Sequence, residues 1–246
     1  ARSFKTLPKN KRNAVNALYA FCRRVDDIVD GDWLPIISNE QELELKSELK
    51  IQELKRFYGG SKEYSDFELK KRIKALLWFR DRLDILESNP KSLKDPIFIA
   101  LADTIEKFPI DLNNLRELIL GMEEDLFHVG CQTYDEMYSY CRKVASSVGL
   151  CLIEIYGYDG EDARKYAEDM GIFLQMVNIL RDIKEDYKRG RSYIPLKELN
   201  SYGIKFENLM EVSKENPESW KTFISEFLKE IQKFRISAMK LIPMLS

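Results

Sequence analysis

Residues 175–195 read Q-M-V-N-I-L-R-D-I-K-E-D-Y-K-R-G-R-S-Y-I-P, and the fold class follows from how polar residues are spaced in this stretch. Gln175, Asn178, Asp182 and Asp186 step by three, four and four, so they share one face of a helix. Met176, Val177, Ile179, Leu180 and Ile183 fill most of the remaining circumference. A surface helix usually has one apolar stripe and a broad polar face. Here the order is inverted, which predicts a mostly buried helix over 172–183 with a narrow polar stripe. Carboxylates at i and i+4 repel by about 0.2–0.5 kcal/mol even in water, and more when partly buried. Something positive is therefore expected to face them.

A lone D-x-x-x-D reads most simply as a solvated charge cluster near a helix end, but this chain repeats the arrangement. Tyr19, Arg23, Asp26 and Asp30 step by four, three and four, among the apolar Leu18, Phe21, Val25, Ile28 and Val29. Two such helices facing one cavity bring four carboxylates together, which divalent cations make tolerable. Oxygen ligands without His or Cys select a hard ion, most simply Mg²⁺, which completes its shell with phosphate oxygens and water. The neighbouring Arg23, Arg181 and Arg191 suit a polyanion. The residues alone thus point to a helical pocket that binds diphosphate through magnesium.

Composition agrees with a globular helical protein. The chain has 246 residues, of which 44% are hydrophobic, and a formal net charge of −2, which excludes a broadly basic nucleic-acid binder. Cys22, Cys131, Cys141 and Cys151 follow no metal-ligand spacing and sit in apolar helical patterns, as expected of reduced thiols in a cytoplasmic protein. No signal peptide and no apolar run of membrane-spanning length is read. Proline and glycine are scarce, and no alternating β-type segment stands out. The expectation is one all-α domain over 1–246, a helical bundle around a central cavity.

Punctuation along the chain places the other helices. Gly31-Asp32 and Pro35 break the first motif helix (Lys9 to Asp30), and Ser38-Asn39-Glu40 offers the next cap. A charged helix over 40–57 ends at Gly59-Gly60, and an outer helix covers about 66–87. Asp95-Pro96 caps a helix that stops near Phe108-Pro109, and Asp111 caps another with Leu115, Leu118, Ile119, Met122 and Leu126 on one face. Asp125, near its end, is read either as a cavity residue or as solvated. His128, the only histidine, is given no catalytic role. Residues 216–235 form a last amphipathic helix, with Phe223, Phe227 and Ile231 turned inward.

Three blocks in order resemble the squalene/phytoene synthase family: Y-A-F-C-R-R-V-D-D-I-V-D at 19–30, Y-C-R-K-V-A-S-S-V-G at 140–149, and N-I-L-R-D-I-K-E-D with R-S-Y-I-P at 178–195. They cover most of the chain. The resemblance implies an isoprenoid synthase fold and head-to-head condensation of two identical prenyl diphosphates. Asp26, Asp30, Asn178, Asp182 and Asp186 would hold Mg²⁺, and the four aspartates and Tyr140 would carry catalysis. Ser3, Phe4, Tyr19, Arg23, Val144, Val148, Gln175, Asn178, Arg181, Arg191 and Tyr193 would bind substrate. Ser3-Phe4 resembles the end of a segment that closes over a diphosphate. Ala145, Ser146, Ser147 and Gly149 are small enough either for close helix packing or, given the motif, to leave room for a prenyl chain bordered by Val144 and Val148. Family members usually extend beyond the point corresponding to Ser246 by a helix or two that supply part of the cavity wall.

Within the family, the block at 19–30 looks more like bacterial carotenoid-forming enzymes than eukaryotic squalene synthases, and no nucleotide-binding glycine motif appears. Two farnesyl diphosphates giving dehydrosqualene are therefore expected. Two geranylgeranyl diphosphates giving phytoene come next, and a squalene synthase using NADPH after that. A terpene cyclase fits the spacing of Asn178, Asp182 and Asp186 but not the doubled D-x-x-x-D, and a head-to-tail elongase lacks the middle block. A non-catalytic helical assembly factor has no use for four mutually repelling acids. A cytoplasmic protein is expected, with a peripheral contact to the inner face of the membrane for product release and no obligate protein partner.

Overall fold

Local chemistry sets the helix ends. The first aspartate helix, α1 (Lys9–Asp30), stops where Gly31 turns left-handed at φ 85° and its N–H bonds back to the helix carbonyls. Helix α3 (Asp66–Ser88) starts in a capping box: Ser65 accepts from the Glu68 N–H while the Glu68 carboxylate takes the Ser65 N–H. Asp95 and Asp111 cap α4 (Pro96–Lys107) and α5 (Leu112–Asp125) through side-chain oxygens, as their sequence positions predict. The remaining helices are α2 (Glu40–Tyr58), α6 (Tyr134–Cys141), α7 (Ser147–Tyr156), α8 (Ala163–Lys188), α9 (Leu196–Ser201), α10 (Leu209–Glu215) and α11 (Pro217–Ala238). A single π turn, Arg142–Ser146, joins α6 to α7. The structure, a computed structural model, describes residues 6–37, 40–61, 63–127 and 130–246; Ser3, Phe4, the Ser38-Asn39 cap and His128 lie outside them.

The helices form a bundle with a buried cluster on each side of a central cavity. On one side α1, α3, α4 and α5 pack around Phe21, Phe79 and Phe98, whose ring centroids lie 5.3–6.0 Å apart in tilted and edge-on contacts. The fully buried Glu123 binds α5 to α3 through Arg80 at 2.7 Å, with Lys50 of α2 at 3.5 Å. On the other side α8 packs on α11 through Met176, Ile179, Phe223 and Phe227. The cavity lies between the two clusters, walled by α1, α5, α8 and the α6–π–α7 segment. No helix among the described residues is long and apolar enough to cross a membrane.

One sequence expectation is corrected and one open alternative is decided. Helix α8 is less buried than its composition suggests: Leu174 is 51% and Val177 40% exposed. It packs through Ile172, Met176 and Ile179 on one side and gives its polar stripe to the cavity, leaving a third side to solvent. The small residues of the middle block serve packing. A Cβ on Gly171 would sit 2.4 Å from the Ser146 Cα, and one on Gly149 would sit 3.3 Å from the Ala167 carbonyl oxygen. Ser146 also donates its hydroxyl to the Glu168 carbonyl at 2.7 Å. These contacts seat the π turn and α7 on α8; Val144 and Val148, on the other face, line the cavity.

Candidate active site

Two walls of the cavity run from polar to apolar. On α5, Asp125, Met122 and Leu118 follow one face inward, and the seven steps from Asp125 to Leu118 span about 11 Å of helix. On the adjacent wall, packed against α5 where Val144 meets Gly121, Tyr140, Val144 and Val148 do the same, with the π turn between Tyr140 and Val148. Helix α1 contributes Asp30, Asp26, Arg23, Cys22 and Tyr19, and α8 contributes Asp186, Asp182, Asn178 and Gln175. The enclosed space is about 440 Å³. One end therefore has Asp26, Asp30, Asp182 and Asp186 at its rim with the buried Asp125 behind them, and the walls of α5 and the α6–π–α7 segment lead from it to an apolar floor.

Arginines answer the carboxylates. Arg23 holds Asp26 at 3.0 Å, Arg189 reaches Asp30 at 3.4 Å, and Arg181 grips both oxygens of Asp182 at 2.6 and 2.7 Å. That grip holds the Asp182 carboxyl below its ordinary range. Asp186 moves the other way, to about 6, because burial disfavours its charge and Asp182 and Asp125 repel it. Asp26 is also raised, first by burial and then by Asp30, with Arg23 opposing. Burial pushes the Cys22 thiol at the floor up to about 12, so it stays a neutral, weakly polar wall.

The most enclosed charges lie behind this rim. Arg191 donates to Asp125 at 3.0 Å and to Glu63 at 2.5 Å, with Tyr64 and Tyr193 hydroxyls at 3.2 and 3.3 Å. The Tyr193 hydroxyl donates to Asp125 at 2.5 Å. Burial alone would lower the Arg191 pKa, but Asp125, Tyr193 and Glu63 outweigh it and raise it. The Tyr140 ring stacks on Tyr193, centroids 4.6 Å apart. Burial, and then Asp125, hold both phenols well above their usual range, so both remain protonated.

The donor set suits a hard cation that arrives with its ligand. It consists of carboxylates and the Asn178 amide, without imidazole or thiolate, and Asp26 and Asp186 are raised first by burial and then by neighbouring acids, both of which a cation would offset. Among the described residues no three acidic, histidine or cysteine side chains converge tightly enough to hold an ion by themselves. Mg²⁺ needs only one or two carboxylates when phosphate oxygens and waters fill the rest of its shell. The residues present fit magnesium on those terms.

Asp26, Asp30, Asp182, Asp186, Tyr140, Tyr19, Arg23, Val144, Val148, Gln175, Asn178, Arg191 and Tyr193 all line the one cavity. Arg181 does not: its side chain is 67% exposed and turned onto Asp182, since it stands one residue, about 100° of helix, off the stripe. Arg191 lines the cavity with its guanidinium engaged by two carboxylates, Glu63 and Asp125, so an anion there would have to displace one of them. Asp27, the middle acid of D-D-I-V-D, is buried away from the cavity lining and paired with Arg23 at 2.7 Å and Arg24 at 3.1 Å. Asp125 proves to be a cavity residue, and Arg189, Glu63 and Tyr64 join the site unannounced by any periodicity.

Comparison with known proteins adds independent findings. The profile of the family described as squalene/phytoene synthase matches residues 1–246. A phytoene synthase of Mycobacterium tuberculosis is 34% identical over 209 residues, 83% of this chain and 57% of that protein. The chloroplastic phytoene synthase 1 of Arabidopsis thaliana is 31% identical over 244 residues, 96% of this chain and 48% of that protein. The chain thus spans about half the length of these curated relatives. A dehydrosqualene synthase crystallised in complex with ligand superposes with a TM-score of 0.73 at 26% identity, covering 99% of this chain and 71% of that one. A squalene synthase from Alicyclobacillus acidocaldarius, with a TM-score of 0.64 and 19% identity over 97% of this chain and 86% of its own, shares the fold.

Proposed function

The chain belongs to the squalene/phytoene synthase family, and from that premise we propose that it joins two farnesyl diphosphates head to head to form dehydrosqualene. The observation that carries this reading is the pair of aspartate stripes, from α1 and α8, on one cavity whose other walls, α5 and the α6–π–α7 segment, turn apolar away from the acids. A diphosphate at the rim leaves the prenyl tail only the apolar direction. The alternative, two geranylgeranyl diphosphates giving phytoene, is favoured by the phytoene synthases among the relatives.

Asp26, Asp30, Asn178, Asp182 and Asp186 are the residues that would hold magnesium. Magnesium supplies the positive charge that makes diphosphate a good leaving group. Arg23 and Arg189 then exchange aspartate partners for phosphate oxygens, to which guanidinium groups bind in the same forked geometry. Leu118, Met122, Val144 and Val148 exclude the water that would otherwise quench an allylic cation. The Tyr140 ring, stacked on Tyr193, offers that cation an aromatic face. The second chain's double bond attacks the cation, and loss of a proton from the newly bonded carbon to the first released diphosphate closes a cyclopropylcarbinyl diphosphate, which ionises again, releasing the second diphosphate, and rearranges. Released diphosphate takes the final proton, and no nucleotide is used. The hydrocarbon product passes to a bilayer that the protein, otherwise cytoplasmic, meets peripherally.

The test is incubation with farnesyl diphosphate and Mg²⁺ alone. A thirty-carbon hydrocarbon with a central conjugated triene, unchanged by NADPH, is expected. Turnover of geranylgeranyl but not farnesyl diphosphate moves the enzyme to phytoene synthesis. A fifteen-carbon cyclic product, a longer diphosphate, or squalene formed only with NADPH overturns the reading.

A further inference from the structure

Tyr64 lies in the connection between α2 and α3, outside all three sequence blocks, yet its hydroxyl touches both halves of the site. It donates to the Val29 carbonyl at 3.1 Å and accepts from Arg191 Nη2 at 3.2 Å. Val29 immediately precedes Asp30 in the last turn of α1. The Arg191 N–H, in turn, donates to the Asp186 carbonyl at 2.9 Å, so Arg191 is tied to the end of the second stripe. One phenol therefore links the backbone beside Asp30 to the side chain anchored beside Asp186. The other cross-link between these ends, Arg189 to Asp30, is a 3.4 Å pair between side chains that are 40% and 36% exposed. Water screens such a pair strongly.

The phenol is itself held. Arg72 lies 4.2 Å from its ring centroid and donates through Nε to the same Val29 carbonyl at 3.1 Å. The adjacent Glu63 meets Arg191 Nη2 at 2.5 Å. The α2–α3 connection thus grips Arg191 twice, opposite Asp125.

We propose that Tyr64 is a positioning residue that sets the spacing between the two aspartate stripes, and through it the affinity for a magnesium-diphosphate pair. The inference rests on the proposed function for the identity of that ligand. Stripes that are not preformed around an ion depend on their supports to meet it. Groups hydrogen-bonded to metal ligands commonly change metal affinity or activity by about 10–100-fold when lost, and Tyr64, one link further out, is placed at the low end of that range.

Tyr64→Phe removes the hydroxyl and keeps the ring under Arg72. Binding of inorganic diphosphate with Mg²⁺ is measured by calorimetry on wild type and variant, alongside the Mg²⁺ dependence of turnover. The variant is expected to bind about tenfold more weakly and to need correspondingly more Mg²⁺, with wild-type helicity. A purely structural role lowers the melting temperature without moving the affinity, and that result overturns the proposal. Failure of the wild type to bind magnesium-diphosphate overturns the proposed function instead. If Tyr64→Phe does not fold, Glu63→Gln, which cuts the neighbouring grip on Arg191, is expected to weaken binding in the same direction; unchanged affinity there also overturns it.

Discussion

Arg191 and Asp125 form a 3.0 Å ion pair in which each side chain is only 7% exposed, joining the segment after α8 to the end of α5. Removing one member of such a pair leaves the other charged in low dielectric. Asp125→Ala is expected to cost about 3 kcal/mol, the low end for buried pairs because Glu63 remains on the guanidinium. Urea unfolding followed by circular dichroism measures it, and an unchanged midpoint would show the pair to be energetically idle.

Asp186 makes stability depend on pH in a direction that can be worked out. Its folded pKa, about 6, lies above the unfolded carboxylate value of about 3.9. The folded state therefore holds the proton more tightly, and this contribution is lost as pH rises through about 6. Without metal, the protein should gain about 1 kcal/mol from this group between pH 7.5 and pH 5, allowing for solvent screening. Asp186→Asn should raise the melting temperature at pH 7.5 and flatten that dependence, while abolishing turnover. A parallel pH profile in the variant would remove Asp186 as the cause.

Gly171→Ala tests the packing of the middle block. Its new Cβ would meet Ser146 backbone atoms at 2.4 and 2.5 Å, which no side-chain rotation relieves. Overpacking of this kind costs about 1–3 kcal/mol. Because Gln175 and Asn178 lie one and two turns further along α8, activity should fall together with stability. Wild-type stability in the variant would mean that the helices separate there easily.

The two stripes were legible because carboxylates at helical spacing among apolar residues leave few alternatives to a shared, partly buried face. Asp95 and Asp111 were legible as caps for the same local reason. Direction at single-residue resolution was not: Arg181 and Asp182 are neighbours in sequence but stand about 100° apart, and only tertiary packing says which one meets the cavity. Tyr64 and Glu63 sit in a connection with no periodicity, so nothing local marks them. The π turn at 142–146 has no residue signature either. It lies where Val144 and Lys143 crowd Gly121 on one side and Ser146 meets Gly171 on the other, contacts that exist only once the helices are packed. For the same reason Ser146 and Gly149 read equally well as packing residues or as space for a ligand.

Arg181 and Arg189 separate the cavity geometry from the sequence pattern. Arg181 lies within α8, two turns before its end, and Arg189 caps it, both close to the second aspartate stripe. Arg189 lines the cavity and reaches across to Asp30, whereas Arg181 points to solvent and grips Asp182. An arginine that gains a phosphate contact in the loaded site contributes a charged hydrogen bond, so Arg189→Ala should lower kcat/KM by about tenfold or more. Arg181→Ala removes only an exposed pair and should stay within about twofold of wild type. It also frees Asp182, so the Mg²⁺ concentration for half-maximal rate should fall or hold, never rise. Steady-state kinetics on the two variants at several Mg²⁺ concentrations decide the matter. A large loss in Arg181→Ala with little change in Arg189→Ala would mean that α8 turns when substrate binds, exchanging which arginine faces the diphosphate.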